Sequence, residues 1–244
     1  MRAGGGPAMR AAGPAISRAT RARAFSSMRD PGTPIVDNSS KITKVTESFF
    51  KPVKRVNLAV PATSANLGPG FDSFGFTLDV WNRVCVERAD KFSMNVSGEG
   101  SERIDTSEKN MVVRACARAL EALGQPMPPL KFTCKNAVPP TRGMGSSSAA
   151  LVGGLAAGLA LGGKDLSLPV TKKLLLQLAA DEEGHADNVA PAIYGGFQIA
   201  FCADGTWVSQ RVHIPAGLQC VLFIPDDEMP TPEVCRREMR RAPR

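Results

Sequence analysis

The segment that most constrains this chain is Gly143-Met144-Gly145-Ser146-Ser147-Ser148-Ala149-Ala150 and the apolar run that continues it to Gly162. Pro139-Pro140 stands just upstream, so the glycines and serines form a turn that opens a helix of small residues reaching about Leu161. A helix N-terminus leaves backbone N–H groups unpaired and carries partial positive charge. Glycines let that backbone approach an anion closely, and serine hydroxyls add donors or a ligand for Mg²⁺. A plain helix cap would use the same residues. The run Ala149–Gly162 is 14 residues long, too short to span a bilayer and suited to a buried helix.

The loop is not a P-loop. The nearest match, Gly158-Leu159-Ala160-Leu161-Gly162-Gly163-Lys164-Asp165, ends a helix instead of starting one, and has Asp where Ser or Thr must hold the metal. A G-x-S-x-G elbow for acyl transfer is also missing from the sequence.

Two further segments carry chemistry. Pro61 to Asp72 is dense in turn residues and reads as a compact loop, with Asn66 and Asp72 six residues apart around Gly68-Pro69-Gly70. A carboxylate suits an ammonium group, and an amide both donates and accepts, which is equipment for an amino-acid ligand. An Asx-stabilised turn would also use this pattern. The third segment, Asp181-Glu182-Glu183-Gly184-His185-Ala186-Asp187-Asn188, puts three acids at a helix C-terminus. There they oppose the helix dipole unless a cation such as the Mg²⁺ of ATP arrives. His185 with Asp187 reads as an oriented imidazole, in a structural network or at a site.

Between these segments the pattern mixes strands and helices without regular alternation, which points to an α+β architecture. Strands are expected at Arg55–Val60, Val84–Glu87, Phe92–Val96, Leu130–Cys134, Gly195–Ala203, Trp207–Ile214 and Leu218–Pro225. Helices are expected over Glu108–Leu123, capped by Thr106 or Ser107, and over Pro169–Glu182.

The net charge of +7 points towards nucleic acid only until it is located. Residues 1–29 hold six arginines and no acid, and the last fourteen residues add five arginines against two glutamates, which leaves the middle slightly acidic. A folded nucleic-acid-binding domain carries its own basic face, so that class is set aside. Residues 1–28, rich in Arg, Ala, Gly and Ser and without an apolar core, have the composition of an organellar transit peptide. Plastid and mitochondrion are not separated by this, and a cytoplasmic protein with a disordered tail is the alternative. Six scattered cysteines with no C-x-x-C support neither zinc nor a disulfide framework, and most read as buried apolar residues. The chain reads as soluble, with no membrane partner.

Together, three stretches resemble the GHMP kinase superfamily and, within it, the homoserine kinases. They are Val60 to Gly75, Pro140 to Ala150 and Glu183 to Gly196, and the likeness runs over about residues 53–230. The resemblance implies a GHMP kinase fold. Residues 1–50 would precede it, 51–213 would form a complete N-terminal ATP-binding domain, and 214–244 would start an α+β (ferredoxin-like) domain that is mostly missing. It implies phosphoryl transfer from ATP to the side-chain hydroxyl of L-homoserine in threonine synthesis, and leaves a homodimer open. By the same likeness Asn66, Asp72 and His185 meet homoserine. Pro140, Arg142 and the Gly143–Ser148 backbone surround the triphosphate, and Asn110 lies near the adenine. Mg²⁺ would be held by Ser146 or Ser147 with one acid, Glu183 being preferred although Asp181 fits almost as well. Asn188 stands where some relatives carry an aspartate base, so with His185 it would line the reacting centre without acting as a strong base. A mevalonate kinase-like enzyme and an inactive nucleotide-binding fragment are the alternatives; mevalonate offers Asp72 no ammonium group.

Overall fold

The computed structural model describes residues 53–224. The basic segment 1–28 and the arginine-rich stretch 236–244 lie outside the described residues, as does Cys235.

The chain opens with a long antiparallel hairpin, β1 (Arg55–Leu67) and β2 (Gly70–Arg88). Then come β3 (Ser93–Gly98), α1 (Met111–Ala122), β4 (Leu130–Asn136), α2 (Ser146–Leu161), α3 (Pro169–Glu183), the short α4 (Val189–Tyr194), β5 (Phe197–Ala203) and β6 (Thr206–Val212). The strands form one mixed sheet in the order β3-β4-β2-β5-β6, with β1 on the other side of β2. Only β3–β4 is parallel. The 19-residue β2 organises the sheet: residues 83–88 pair with β4 and residues 74–76 with β5.

The sheet buries one face. Val56 and Val60 of β1, Val84 and Val86 of β2, and Leu130, Phe132 and Cys134 of β4 point into the core. The residues between them, Arg55, Asn57, Arg83, Lys131, Thr133 and Lys135, face outward. That period of two is what a sheet with one wet face requires. Helix α2 lies at the centre of the helical layer, buried along most of its length and flanked by α1 and α3. A Cβ on Gly154 would strike Val112 O, and one on Gly158 would strike Cys116 O, so these two glycines let the α1 and α2 backbones touch. Leu155, Leu159 and Leu161 fill the remaining space and are at most 1% exposed, each stabilising the fold by about 1.5–3 kcal/mol. Among the described residues no helix is long and apolar enough to cross a membrane.

Four expectations are corrected. First, residues 61–72 are not a loop: pairing continues to Leu67↔Gly70, and only Gly68 and Pro69 form the turn. The turn residues are absorbed as irregularities, with a register shift at Pro61/Ala62 beside the proline that cannot donate and another at Ala65/Leu67 around Asn66. Second, α1 starts at Met111 and not at Glu108, because Asn110 is the cap; Ser107 instead bonds the N–H of Lys109 in the preceding turn. Third, residues 218–224 form no strand, and β6 stops at Val212. Leu218, Val221 and Phe223 are exposed, and no described strand pairs with them, so apolar content alone did not make a ladder. Fourth, of the five described cysteines only Cys116 and Cys134 are buried, while Cys202 and Cys220 are exposed. Burial pushes the Cys116 thiol up to about 12 and that of Cys134 to about 11, as inert core residues require.

Candidate active site

The hairpin tip, the glycine loop and the turn after α3 share one cavity of about 1170 Å³. That slightly exceeds the roughly 300–1,000 Å³ of most small-molecule sites. Asn66, Asp72, Arg142, Gly143, Met144, Gly145, Ser146, Ser147, Ser148, Glu183, His185 and Asn188 all line it. Asn110 and Pro140 do not. The Asn110 side chain accepts from Val112 N–H at 2.8 Å and donates to Asp105 O at 2.6 Å, which commits it to capping α1. Its neighbours Met111 and Arg114 reach the cavity instead. Pro140 packs beside Gly100.

At the tip, Asn66 and Asp72 both have left-handed backbones, with φ of 60° and 56°. Asn66 Oδ1 accepts from the Asp72 N–H at 2.9 Å, so the Asx-type contact exists. It occupies the Asp72 backbone and leaves the carboxylate as the group that lines the cavity. The charge of Asp72 reaches His185, helping to raise its pKa, so the first and third segments already interact electrostatically.

The glycine loop is shaped by backbone. Thr141, Gly143 and Gly145 have positive φ, and Gly145 precedes α2 as its N-cap with no side-chain cap. Its first N–H groups are thus left to a ligand, and α2 contributes its positive end. Met144 turns inward and is 4% exposed against Ala62, Leu78 and Val138, which pins the loop to the core. Arg142 lines the cavity with a buried Nη1 that has no hydrogen-bond partner among the described residues, as a guanidinium awaiting an anion would.

In the acidic turn each acid has its own partner. Asp181 accepts from Trp207 Nε1 at 2.8 Å, and Glu182 faces Arg114 at 3.6 Å. The Glu183 side chain is only 11% exposed and accepts from Ser148 Oγ at 2.9 Å. Its Oε1 is buried without a hydrogen-bond partner among the described residues. Burial pushes its carboxyl up to about 6, against the Ser148 bond and the charge of His185, which lower it. His185 Nδ1 lies 2.8 Å from the fully buried Asp187. That hydrogen bond is the main cause of the raised His185 pKa, with burial opposing it and the charges of Asp187, Glu183 and Asp72 adding to it. Asn188 Oδ1 accepts from Thr63 Oγ1 at 2.8 Å.

A cation would find a limited but suitable donor set here. Among the described residues no cluster of three or more His, Cys, Asp or Glu could hold a metal. One unpartnered carboxylate oxygen and a serine hydroxyl are nevertheless what Mg²⁺ uses when phosphates and waters complete its shell. The serine bonded to Glu183 is Ser148, while Ser146 and Ser147 line the cavity. Sequence reasoning missed Thr63 and Arg114. The approach of Arg114 to Glu182 is invisible before α1 and α3 are placed, whereas the position of Thr63 inside the first segment was a usable signal.

Residues 110–196 match the GHMP kinases N terminal domain. The homoserine kinase of Desulfitobacterium hafniense is 42% identical over 171 residues, covering 70% of this chain and 56% of that protein. The homoserine kinase of Aquifex aeolicus is 36% identical over 181 residues, covering 74% and 59%. The crystal structure of homoserine kinase from Cytophaga hutchinsonii superposes with a TM-score of 0.56 at 30% identity, over 68% of this chain and 54% of that one. The chain thus spans a little over half the length of the curated relatives it matches. Residues 110–196, which include the glycine loop and the acidic turn, thus carry the GHMP kinases N-terminal domain.

Proposed function

We propose that this chain belongs to an enzyme that transfers the terminal phosphoryl group of ATP to the side-chain hydroxyl of L-homoserine, giving O-phospho-L-homoserine for threonine synthesis. The observation that carries this is the single cavity joining Asp72 to the glycine loop and Glu183. A carboxylate for an ammonium group then stands in the same space as an uncapped helix N-terminus for phosphates.

The protein's part in such a transfer is positioning and charge neutralisation. Asp72 and Asn66 hold the amino acid, and the Gly143–Ser148 backbone with Arg142 holds the triphosphate. Glu183 with Ser148, or with Ser146 or Ser147, would hold Mg²⁺, which when bound spreads and neutralises phosphate charge. His185 is biased towards its protonated form by Asp187, so it brings positive charge between Asp72 and Glu183 and is a poor base. Asn188 cannot accept a proton as a carboxylate does. The site therefore works by orientation, with the substrate hydroxyl losing its proton late. An organellar destination is part of this reading, supported by the acid-free basic segment 1–28.

The test is ADP release by the chain with MgATP and L-homoserine, mevalonate or no acceptor. Turnover is expected with homoserine alone, and Asp72→Asn should weaken homoserine by about 2–5 kcal/mol. An unchanged homoserine KM in Asp72→Asn would overturn the Asp72 assignment. Mevalonate turnover would move the chain to another branch of the superfamily, and nucleotide affinity without any turnover would make it a binding fragment.

A further inference from the structure

The three segments of the site meet at one buried hydroxyl. Thr63, on β1, is 0% exposed and does not line the cavity. Its Oγ1–H donates to Asn188 Oδ1 at 2.8 Å, and its backbone N–H donates to Met144 O at 3.1 Å. A Cβ on Gly145 would overlap this same hydroxyl and press on Asn188 Oδ1. One side chain thus touches the hairpin, the glycine loop and the acidic turn.

An asparagine amide fits its space equally well in two orientations, and only hydrogen bonding selects one. Here Oδ1 of Asn188 faces Thr63 and Nδ2 faces Asp187 Oδ1 at 3.4 Å. Reversing the amide would set the Asn188 and Asp187 oxygens against each other. It would also leave the Thr63 proton without this acceptor in a site closed to water, and both effects are costly.

We infer that Thr63 is a positioning residue: its hydroxyl fixes the orientation of the Asn188 amide at the cavity wall, while its backbone N–H ties β1 to the glycine loop. The inference rests on the kinase reading of the cavity, because Thr63 acts through Asn188 and reaches no substrate itself.

Thr63→Val keeps the shape and removes the hydroxyl, while Thr63→Ser keeps the hydroxyl and removes a methyl group. Two readouts apply to the full chain: steady-state turnover of L-homoserine with MgATP, and the side-chain amide signals of Asn188 by ¹⁵N NMR. Thr63→Val should lower kcat roughly 10- to 100-fold, the scale of a small misplacement at a reacting centre, with little change in the KM for MgATP. Thr63→Ser should recover most of the loss. The Asn188 amide signals should be single and sharp in the parent and in Thr63→Ser, and broaden in Thr63→Val, where the two orientations of the amide exchange. Equal kcat in the parent and Thr63→Val, or a Thr63→Ser as impaired as Thr63→Val, overturns the inference. If the parent chain phosphorylates no acceptor, the kinase reading fails for this chain and the amide signals alone decide. Sharp signals in Thr63→Val then sink the role of Thr63, and broadened signals uphold it. Should Thr63→Val fail to fold, Thr63→Cys, a weaker donor of similar size, takes its place under the same outcomes.

Discussion

The glycine loop (141–148) and the acidic turn (181–188) line the same cavity but are made in opposite ways. The loop is built from backbone: left-handed residues, an uncapped helix and small side chains set it up. The turn is built from side chains, with Asp181, Glu182, Glu183, His185, Asp187 and Asn188 each held by a specific partner. The difference shows that anion binding can be left open in the folded chain, because unpaired N–H groups at a helix start cost little. Buried acids must instead be organised by the protein itself before any cation arrives. The loop should therefore be sensitive to backbone changes, and the turn to changes of charge.

Three experiments can break that contrast or sharpen it. The largest effect is expected at Gly145, whose φ of 64° and contact with Thr63 both exclude a side chain. Gly145→Ala should cost about 2–4 kcal/mol in denaturant unfolding and weaken MgATP binding. Unchanged stability would show that the loop is not set by its backbone. Next comes the charge on Glu183. Its folded pKa of about 6 lies above the ordinary 4.5, so folding favours the protonated acid. That contribution is fully present below about pH 4.5 and is lost as pH rises through 6, a change of about 2 kcal/mol. Glu183→Gln should flatten this part of the stability profile, while Mg²⁺ affinity of the parent should rise over the same interval. A parent and variant with parallel pH profiles would remove Glu183 from the organised group. The smallest effect belongs to Asp181, whose bond to Trp207 is exposed. Asp181→Ala should cost about 0.5–1 kcal/mol by thermal unfolding and leave MgATP affinity alone. A large loss of affinity would place the metal at Asp181 instead.

The loop was legible in the sequence and the turn only partly so, for a physical reason. A helix start after Gly145 and a buried run to Leu161 follow from local residue types, and α2 bears both out. Three consecutive acids cannot be ranked without knowing what α3 faces. Trp207 and Arg114 are 26 and 68 positions away from Asp181 and Glu182, and only packing reveals that they engage the first two acids. The hairpin misled in the opposite direction. Pro61, Asn66, Gly68, Pro69 and Gly70 signal a loop by composition, yet pairs such as Thr63↔Thr77 and Ser64↔Phe76 hold the segment as a strand. Tertiary pairing overrode local preference there. It did not do so at 218–224, where an apolar run has no neighbouring strand among the described residues to pair with.

The contact of α1 and α2 through Gly154 and Gly158 also has a mechanical meaning. Backbone lies against backbone with no flexible side chain between, so α2 can neither roll nor slide without collision, and it acts as a clamped post. The glycine loop at its head is a fixed reference point. The hairpin tip has the contrary design: pairing of β2 with β5 stops at Phe74↔Ile199, and the Leu67↔Gly70 pair of the hairpin itself closes the arm that carries Asp72. Adjustment to a ligand entering the cavity therefore falls to the arm that carries Asp72, while the glycine loop stays still.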